Sequence, residues 1–192
     1  MIKLVLIRHF ATQGNLAKRY IGRTEEPLCV DGRKALEWYC YPEVEALFVS
    51  PMLRCIESAK LIYPKLPPVV IEELRECDFG EFENKNYMEL SDNPSYQAWI
   101  DSNGTLPFPG GEDPVVFKER SIKGFQKAVE MSLESGYESI GLVVHGGTIM
   151  SILERYSTSK KDYYSWQVDN AQGYCGIFDG KEERIRELCK IQ

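Results

Sequence analysis

Apolar residues in this chain gather in short runs that are separated by polar turns. Four of these runs are almost wholly apolar and rich in β-branched side chains: residues 2–7, 46–49, 69–71 and 140–144. Such runs are typical of strands buried on both faces of a parallel sheet. Two more strands are predicted at 174–178 and 184–188, joined through Asp179 and Gly180, a dipeptide that favours a hairpin turn.

Helices are predicted between these strands. Over residues 52–63 the apolar side chains follow a single stripe of helical period. Further helices are expected over residues 33–39, 112–133 and 146–156; the second of these has an acidic start and is ended by Gly136. Alternating strands and helices predict a layered α/β fold, with a mostly parallel central sheet flanked by helices.

Residues 74–111 interrupt this alternation. The segment is rich in glycine and proline, and short helices are predicted only near 87–90 and 96–100. Long irregular segments in compact domains are usually binding loops or covers over a site. We therefore expect one domain over residues 1–192, in which residues 74–111 form an insertion that caps the site. Its aromatic residues are expected to pack as the core of the insertion, the alternative being the wall of a ligand pocket; they are Phe79, Phe82, Tyr87, Tyr96, Trp99 and Phe108.

Composition and charge narrow the possible partners. The chain has 23 basic and 29 acidic residues, a net charge of −6, which disfavours nucleic acid or a membrane as partner. The apolar start is too short for a signal peptide or a membrane span. Six cysteines form no C-x-x-C pair and no metal-ligand spacing, so reduced thiols of a cytoplasmic protein are expected. A homo-oligomer is compatible with exposed sheet edges but is not indicated.

The candidate chemistry lies where two of the apolar strands end. His9 and His145 are the only histidines, and each directly follows a predicted strand. In parallel sheets these carboxyl ends line the ligand crevice. Arg8 precedes the first histidine, Arg54 stands in the first turn of the helix over 52–63, and Gly146 opens a helix after the second histidine. Two arginines, two histidines and a helix N-terminus predict a phosphate-sized anion site.

Plainer interpretations of these residues remain open at this point. Histidines can cap strands for structural reasons, and an arginine at a helix start is often a solvated surface charge. Arginine is unfavourable at a helix N-terminus, however, which favours an anion close to Arg54. Five glutamates crowd residues 72–83, and a solvated acidic face explains them as well as a catalytic acid does.

Five segments together resemble the histidine phosphatase superfamily, in its phosphoglycerate-mutase-like branch. Residues 6–15 (LIRHFATQGN) resemble R-H-G-x-T-x-x-N, and residues 50–59 (SPMLRCIESA) resemble S-P-L-x-R-A-x-x-T-A. Residues 74–83 (LRECDFGEFE) resemble L-x-E-x-x-F-G-x-W-E. Residues 109–112 (PGGE) and 143–147 (VVHGG) complete the family order. One motif alone would be weak, but five in order cover most of the chain.

The resemblance implies a role for each matching residue. His9 would be the nucleophile that accepts the phosphoryl group, and Glu76 the general acid and later the base, with Glu81 as the second choice. The remaining members of the implied site would bind and neutralise the phosphoryl oxygens; they are Arg8, Asn15, Gly22, Arg54, His145 and Gly146. No metal or cofactor is implied, because arginine and histidine supply the positive charge.

The chain departs from the family pattern at four positions. Phe10 stands where the family has glycine after the nucleophile, and it is expected to narrow the pocket, stack on a substrate ring or turn away. Ala11 replaces a frequent glutamate, Phe82 a tryptophan and Asn84 a glycine.

Three functions are therefore weighed. The resemblance favours a metal-independent phosphomonoesterase acting on a small phosphorylated metabolite through a phosphohistidine, with α-ribazole-5′-phosphate or a sugar phosphate as candidates. A cofactor-dependent phosphoglycerate mutase is the first alternative, although such mutases are longer and shield the phosphohistidine with a C-terminal tail. A non-catalytic module that binds a phosphorylated ligand is the second, supported only by Phe10.

Overall fold

A computed structural model describes residues 1–191 of the chain. Its centre is one six-stranded sheet in the order β3-β2-β4-β1-β5-β6. The strands are β1 (Ile2–Arg8), β2 (Ala46–Val49), β3 (Val69–Val70), β4 (Ser139–Val144), β5 (Gly173–Asp179) and β6 (Arg184–Lys190). The first four strands in sheet order are parallel, whereas β5 pairs antiparallel with β1, and β6 pairs antiparallel with β5. The predicted α/β fold with a mostly parallel sheet is confirmed.

The apolar run of β1 explains its central position. Leu4 and Leu6 pack on one face of the sheet, in a cluster that includes Phe125. Val5 and Ile7 face the other side and pack in a cluster with Ala59. Because successive strand residues point to opposite faces, a strand covered on both sides has to be apolar throughout.

Helices cover both faces of the sheet. They are α1 (Gln13–Leu16), α2 (Val30–Lys34), α3 (Leu53–Ile62), α4 (Pro94–Asp101), α5 (Pro114–Ser135) and α6 (Gly146–Tyr156), and single 3₁₀ turns occupy residues 35–37, 72–74, 80–82 and 163–166. Side chains of α5 and α6 belong to the cluster on one face, and those of α3 to the cluster on the other. None of the helices within residues 1–191 is long and apolar enough to span a membrane.

Several predicted boundaries shift for local reasons. The helix expected over 33–39 is instead α2, which starts earlier because the Cys29 sulfur accepts the Gly32 N–H, and continues only as a 3₁₀ turn. Helix α5 begins at Pro114, with Asp113 as its N-cap, so residue 112 lies outside it. Gly136 ends α5 in the left-handed conformation (φ 74°), as predicted.

The segment 74–111 contains one helix, α4. The helix predicted over 87–90 is wrong: this stretch is a turn in which Asn86 Oδ1 accepts the N–H groups of Met88 and Glu89. Asn93 and Pro94 then start α4 as its N-cap and first residue. The predicted hairpin between β5 and β6 is present, and residues 180–183 separate the two strands.

Aromatic side chains of this segment divide between two environments. Phe82 and Tyr96 are buried in a cluster separate from the main core, whereas Tyr87 is exposed. Phe79 and Trp99 pack against the same cluster but also line the large cavity beside the sheet ends. Some of the aromatic residues therefore form the core of the insertion, and others form part of the cavity wall.

Candidate active site

The two histidines meet because β1 and β4 are neighbours. In this parallel pair Arg8 lies opposite Val144, and the His9 N–H donates to the Val144 carbonyl. The centroids of the two imidazole rings are 5.2 Å apart and the rings are inclined by 67°. His9 is 2% exposed and His145 is fully buried.

The hydrogen bond of His9 determines which of its nitrogens is available. Its Nδ1 lies 2.7 Å from the Phe10 carbonyl oxygen, which can only accept, so Nδ1 carries the proton. Nε2 is therefore the unprotonated nitrogen. Burial lowers the pKa of His9 well below its usual value, and the positive charges of Arg54 and Arg8 lower it further. The ring is thus neutral, as a nucleophile must be.

Two arginines bring unpaired donors to this centre. Arg54 is fully buried at the start of α3, and its guanidinium donates to the carbonyls of Ile21, Gly22 and Thr24. Arg8 donates to the Val168 carbonyl at 2.7 Å. The Nε of each arginine is buried and has no acceptor among residues 1–191. A buried N–H without a partner is unfavourable, so both groups suit an anionic ligand.

Glu76 is the carboxylic acid of the site. Its Oε1 accepts the Cys77 N–H at 3.0 Å, and its Oε2 lies 3.6 Å from His145 Nδ1. Burial raises the pKa of Glu76, although Arg54 and Arg8 oppose this shift. A raised pKa keeps a proton available for donation. Glu81, the second choice, is exposed and does not line the cavity.

The loop that carries Glu76 is held by Arg120 of α5. This guanidinium donates to the carbonyls of Glu73 and Arg75 at 2.9 Å each, and to that of Glu76 at 3.3 Å. Glu112 orients Arg120 through two charged contacts of 2.7 and 2.9 Å. The glutamate of the PGGE motif therefore holds an arginine in place instead of starting a helix.

These residues lie at a cavity of about 570 Å³ at the end of the sheet. Arg8, His9, Asn15, Glu76 and Gly146 line it. Arg54 and His145 are not on its wall but are fully buried close to His9. Much of the remaining wall is aromatic: Tyr20, Phe79, Trp99, Phe108, Phe117 and Tyr163.

Asn15 and Gly146 bring two kinds of donor to the cavity. The Oδ1 of Asn15 accepts from the Thr12 N–H and from the Asn170 amide. Both bonds use the oxygen, so the Nδ2 group of Asn15 takes part in neither and can donate to a ligand. Gly146 is the first residue of α6, whose N-terminal N–H groups carry partial positive charge. The Arg8 side chain lies against Gly146.

Gly22 has a different place from the one expected. Its N–H donates to Glu83, its carbonyl accepts from Arg54, and it does not line the cavity. A Cβ at this position would lie 2.0 Å from the Cys77 carbonyl oxygen, so the close approach of two loops requires glycine. Direct phosphate binding by Gly22 is not supported, because its donor is already engaged.

Phe10 turns away from the site. Its side chain is fully buried in a small cluster with Leu28 and Ala171, 6.2 Å from the Tyr41 ring. Its backbone φ is not positive, so no glycine is needed at this position. Of the three expectations for Phe10, turning away is the one that the structure bears out.

Sequence reasoning missed three residues that hold the site. Asn170 donates to the His9 carbonyl at 3.0 Å, Ser50 contacts His145, and Arg120 holds the Glu76 loop. Ser50 belongs to a quoted motif, so a signal existed for it. No pattern in the sequence distinguished the other two. Within the described residues, no three His, Cys, Asp or Glu side chains are grouped to hold a metal ion.

Comparison with known proteins identifies the family. The model of the histidine phosphatase superfamily (branch 1) matches residues 4–190, and the chain belongs to this superfamily. It is 30% identical over 166 residues to 2,3-bisphosphoglycerate-dependent phosphoglycerate mutase 2 of Gloeobacter violaceus, covering 80% of this chain and 74% of that protein. It is 28% identical over 163 residues to adenosylcobalamin/alpha-ribazole phosphatase of Escherichia coli, covering 80% and 78% respectively.

A solved structure supports the fold independently. The alpha-ribazole phosphatase from Shigella flexneri superimposes with a TM-score of 0.76 at 23% identity, covering 96% of this chain and 93% of that one. At this identity the likeness concerns the fold alone, which is phosphoglycerate mutase-like. The named relatives include both phosphatases and mutases, so the family establishes the chemistry of phosphoryl groups without fixing the reaction.

Proposed function

We propose that this protein is a phosphomonoesterase that hydrolyses a small phosphorylated metabolite through a phosphohistidine on His9. One observation carries the proposal: a neutral His9 with a free Nε2 lies among the unpaired Nε–H groups of Arg8 and Arg54. Glu76, with its raised pKa, lies at the same cavity. A nucleophile, an anion site and a proton donor thus occur together.

In the first half of the reaction, His9 Nε2 attacks phosphorus and the bond from phosphorus to the alcohol oxygen breaks. Glu76 transfers its proton to that leaving oxygen, so a neutral alcohol departs. Arg8, Arg54 and His145 stabilise the charge on the three equatorial oxygens. Asn15 and the first N–H groups of α6, beginning at Gly146, are proposed as further donors to these oxygens.

In the second half, the ionised Glu76 accepts a proton from water, and the resulting hydroxide attacks the phosphohistidine. The N–P bond breaks, inorganic phosphate leaves, and Glu76 is protonated again. The residues required for both halves are therefore the same. We further propose that residues 1–192 act as one catalytic domain, in which the segment 74–111 covers the site.

The lining of the cavity outside the catalytic residues supports an alcohol that carries a ring and no second anion. Besides Arg8, two cations line the cavity, and both are paired: Arg19 with Glu89 at 3.0 Å and Lys118 with Glu154 at 2.8 Å. A second anionic group, such as the carboxylate of phosphoglycerate, would have to compete for these cations. Aromatic side chains favour stacking on a flat apolar ring. α-Ribazole-5′-phosphate fits this description best, and a sugar phosphate fits it in part.

The test is hydrolysis of a phosphomonoester panel in EDTA by wild type and His9→Ala. The panel contains p-nitrophenyl phosphate, 3-phosphoglycerate, a sugar phosphate and α-ribazole-5′-phosphate. We expect phosphate release that falls at least about 10³-fold in His9→Ala, because the nucleophile is lost. Full activity in that variant would disprove the nucleophile assignment.

Labelling with ³²P, quenched in SDS at alkaline pH because a phosphohistidine is labile in acid, separates the alternative functions. A phosphatase gives a short-lived phosphoenzyme, whereas a mutase gives a long-lived one together with interconversion of phosphoglycerates. A binding module gives none.

Trp99→Ala tests the ring preference: we expect its KM to rise for α-ribazole-5′-phosphate but not for the sugar phosphate. Tyr87→Ala is the matched control, because Tyr87 is exposed and does not line the cavity.

A further inference from the structure

Ser50 contacts the ring of His145 in the protein interior. It follows the last residue of β2 and is fully buried, and its Oγ lies 2.7 Å from Nε2 of His145. The opposite ring nitrogen, Nδ1, lies 3.6 Å from Oε2 of Glu76. One nitrogen of His145 thus faces a serine in the interior, and the other faces the carboxyl group at the cavity.

The other contacts of Ser50 limit how its hydroxyl can be used. The Met52 N–H donates to Ser50 Oγ at 3.3 Å, so this oxygen already acts as an acceptor. Its single proton remains available for Nε2 of His145. Cys55 Sγ lies 3.6 Å from the same nitrogen, and burial raises the pKa of Cys55 to about 12, so the sulfur stays a neutral thiol.

The two tautomers of His145 differ in what they present to the cavity. If Nε2 accepts the Ser50 proton, then Nδ1 carries a hydrogen that faces the oxygens of Glu76. If Nε2 donates to Ser50, then Nδ1 turns an unshared electron pair toward those oxygens, which is repulsive whenever Glu76 is ionised, as it is after it has given up its proton in the proposed reaction. The first tautomer uses the Ser50 proton and turns the Nδ1 hydrogen toward a carboxyl oxygen that can attract it, so it suits the geometry in both protonation states of Glu76.

We propose that Ser50 is a positioning residue whose hydroxyl donates to His145 Nε2 and thereby holds the ring in the Nδ1–H tautomer. The catalytic consequence rests on the proposed function. Burial, Arg54 and His9 lower the pKa of His145 well below its usual value, so the ring is neutral before substrate binds. A neutral imidazole donates from one nitrogen only. The tautomer therefore decides whether His145 offers a donor or an acceptor to the phosphoryl oxygens.

The tautomer can be measured directly, because the chain contains only two histidines. In ¹⁵N-histidine-labelled protein at pH 7.5, protonated and unprotonated ring nitrogens have distinct chemical shifts. A His9→Ala sample assigns the two rings. We expect a protonated Nδ1 and an unprotonated Nε2 on His145. In Ser50→Ala we expect the proton to move to Nε2 in part or fully, while the His9 signals stay unchanged.

Either of two results would overturn the proposal: a wild-type His145 protonated on Nε2, or an unchanged His145 tautomer in Ser50→Ala. This measurement requires no substrate. Its failure is therefore distinguishable from a failure of the phosphatase assignment, which would appear as a wild-type protein without phosphoenzyme or hydrolysis.

The kinetic consequence is tested with p-nitrophenyl phosphate. We expect kcat of Ser50→Ala to fall about 10- to 100-fold, since losing one donor to a developing oxyanion costs about 10²–10³-fold and the ring itself remains. Ser121→Ala is the matched control: Ser121 is equally buried, and its Oγ has no partner among residues 1–191. An unchanged kcat in Ser50→Ala, or an equal loss in both variants, would contradict a positioning role.

Discussion

The backbone N–H of Phe10 donates to Ser58 Oγ at 2.9 Å, and Ser58 in turn donates to the Arg54 carbonyl. This pair links the loop after the nucleophile to the helix that carries the buried arginine. It also explains how phenylalanine replaces the glycine of the family: the backbone is held by Ser58, and the ring packs on the side away from the cavity.

Replacing Phe10 should therefore affect stability more than access to the site. We expect Phe10→Gly to lower the free energy of unfolding by about 3–5 kcal/mol, the usual cost of removing a buried phenyl ring, with some addition from backbone entropy. Phe10→Leu should lower the free energy of unfolding clearly less. Urea denaturation measures both. A Phe10→Gly protein that is as stable as wild type and more active would mean that the ring obstructs the substrate.

Glu76→Gln should separate substrates by their leaving groups. An alkyl phosphate requires a proton on its departing oxygen, so we expect its kcat/KM, which reports the steps up to formation of the phosphohistidine, to fall about 10²–10⁴-fold. p-Nitrophenyl phosphate releases the stable p-nitrophenolate anion, so its kcat/KM should fall only a few-fold, whereas kcat should fall for both substrates because Glu76 is also the base that activates water. Steady-state kinetics on both substrates give the ratio. Glu81→Gln is the control, because Glu81 is exposed; equal losses of kcat/KM on both substrates in Glu76→Gln would contradict the general-acid role.

Arg120→Ala should impair proton donation by Glu76, because Arg120 positions the loop that carries this carboxyl group. Arg120 holds three carbonyls of the loop that carries Glu76, so its loss should reduce kcat/KM more for alkyl phosphates than for p-nitrophenyl phosphate. It also leaves the largely buried Glu112 without its partner, which costs about 3 kcal/mol of stability. Lys127→Ala on the same helix is the control, since its ion pair with Glu73 is mostly exposed. Comparable losses of activity in the two variants would argue that Arg120 does not hold the Glu76 loop in place.

The buried histidines should make stability depend on pH. Burial lowers the pKa of His145 in the folded protein, whereas the unfolded chain binds the proton near pH 6.5. Stability from this group is therefore present above pH 6.5 and is lost as the pH falls toward the folded pKa. Below pH 6.5 the free energy of unfolding should decline more steeply in wild type than in His145→Gln, by up to about 1.4 kcal/mol per pH unit. Denaturation at pH 7.5, 6.5 and 5.5 measures this, and parallel curves would refute it.

Much of the fold could be predicted from short-range patterns of apolar and polar residues in the sequence. All six strands were predicted to within two residues at each end. The apolar runs located β1, β2 and β4 because strands covered on both faces leave no room for polar side chains, whereas β3 was also found from its apolar run although both of its residues are exposed. Local hydrogen bonds caused the errors. The Cys29 sulfur started α2 early, and the Asn86 side chain held residues 87–90 in a turn. Neither contact leaves a periodic trace in the sequence.

The sequence by itself determined the α/β architecture, the family and the residue types available for phosphoryl transfer, because all three reside in local patterns and motifs. Only the tertiary structure decided their arrangement. It turned Phe10 away from the cavity, engaged Gly22 with Glu83 and Arg54, and brought Ser50 to His145 across 95 positions of the chain. Burial then lowered the pKa of both histidines and raised that of Glu76. Such shifts arise from desolvation and from charges on distant segments, which only a folded chain brings together.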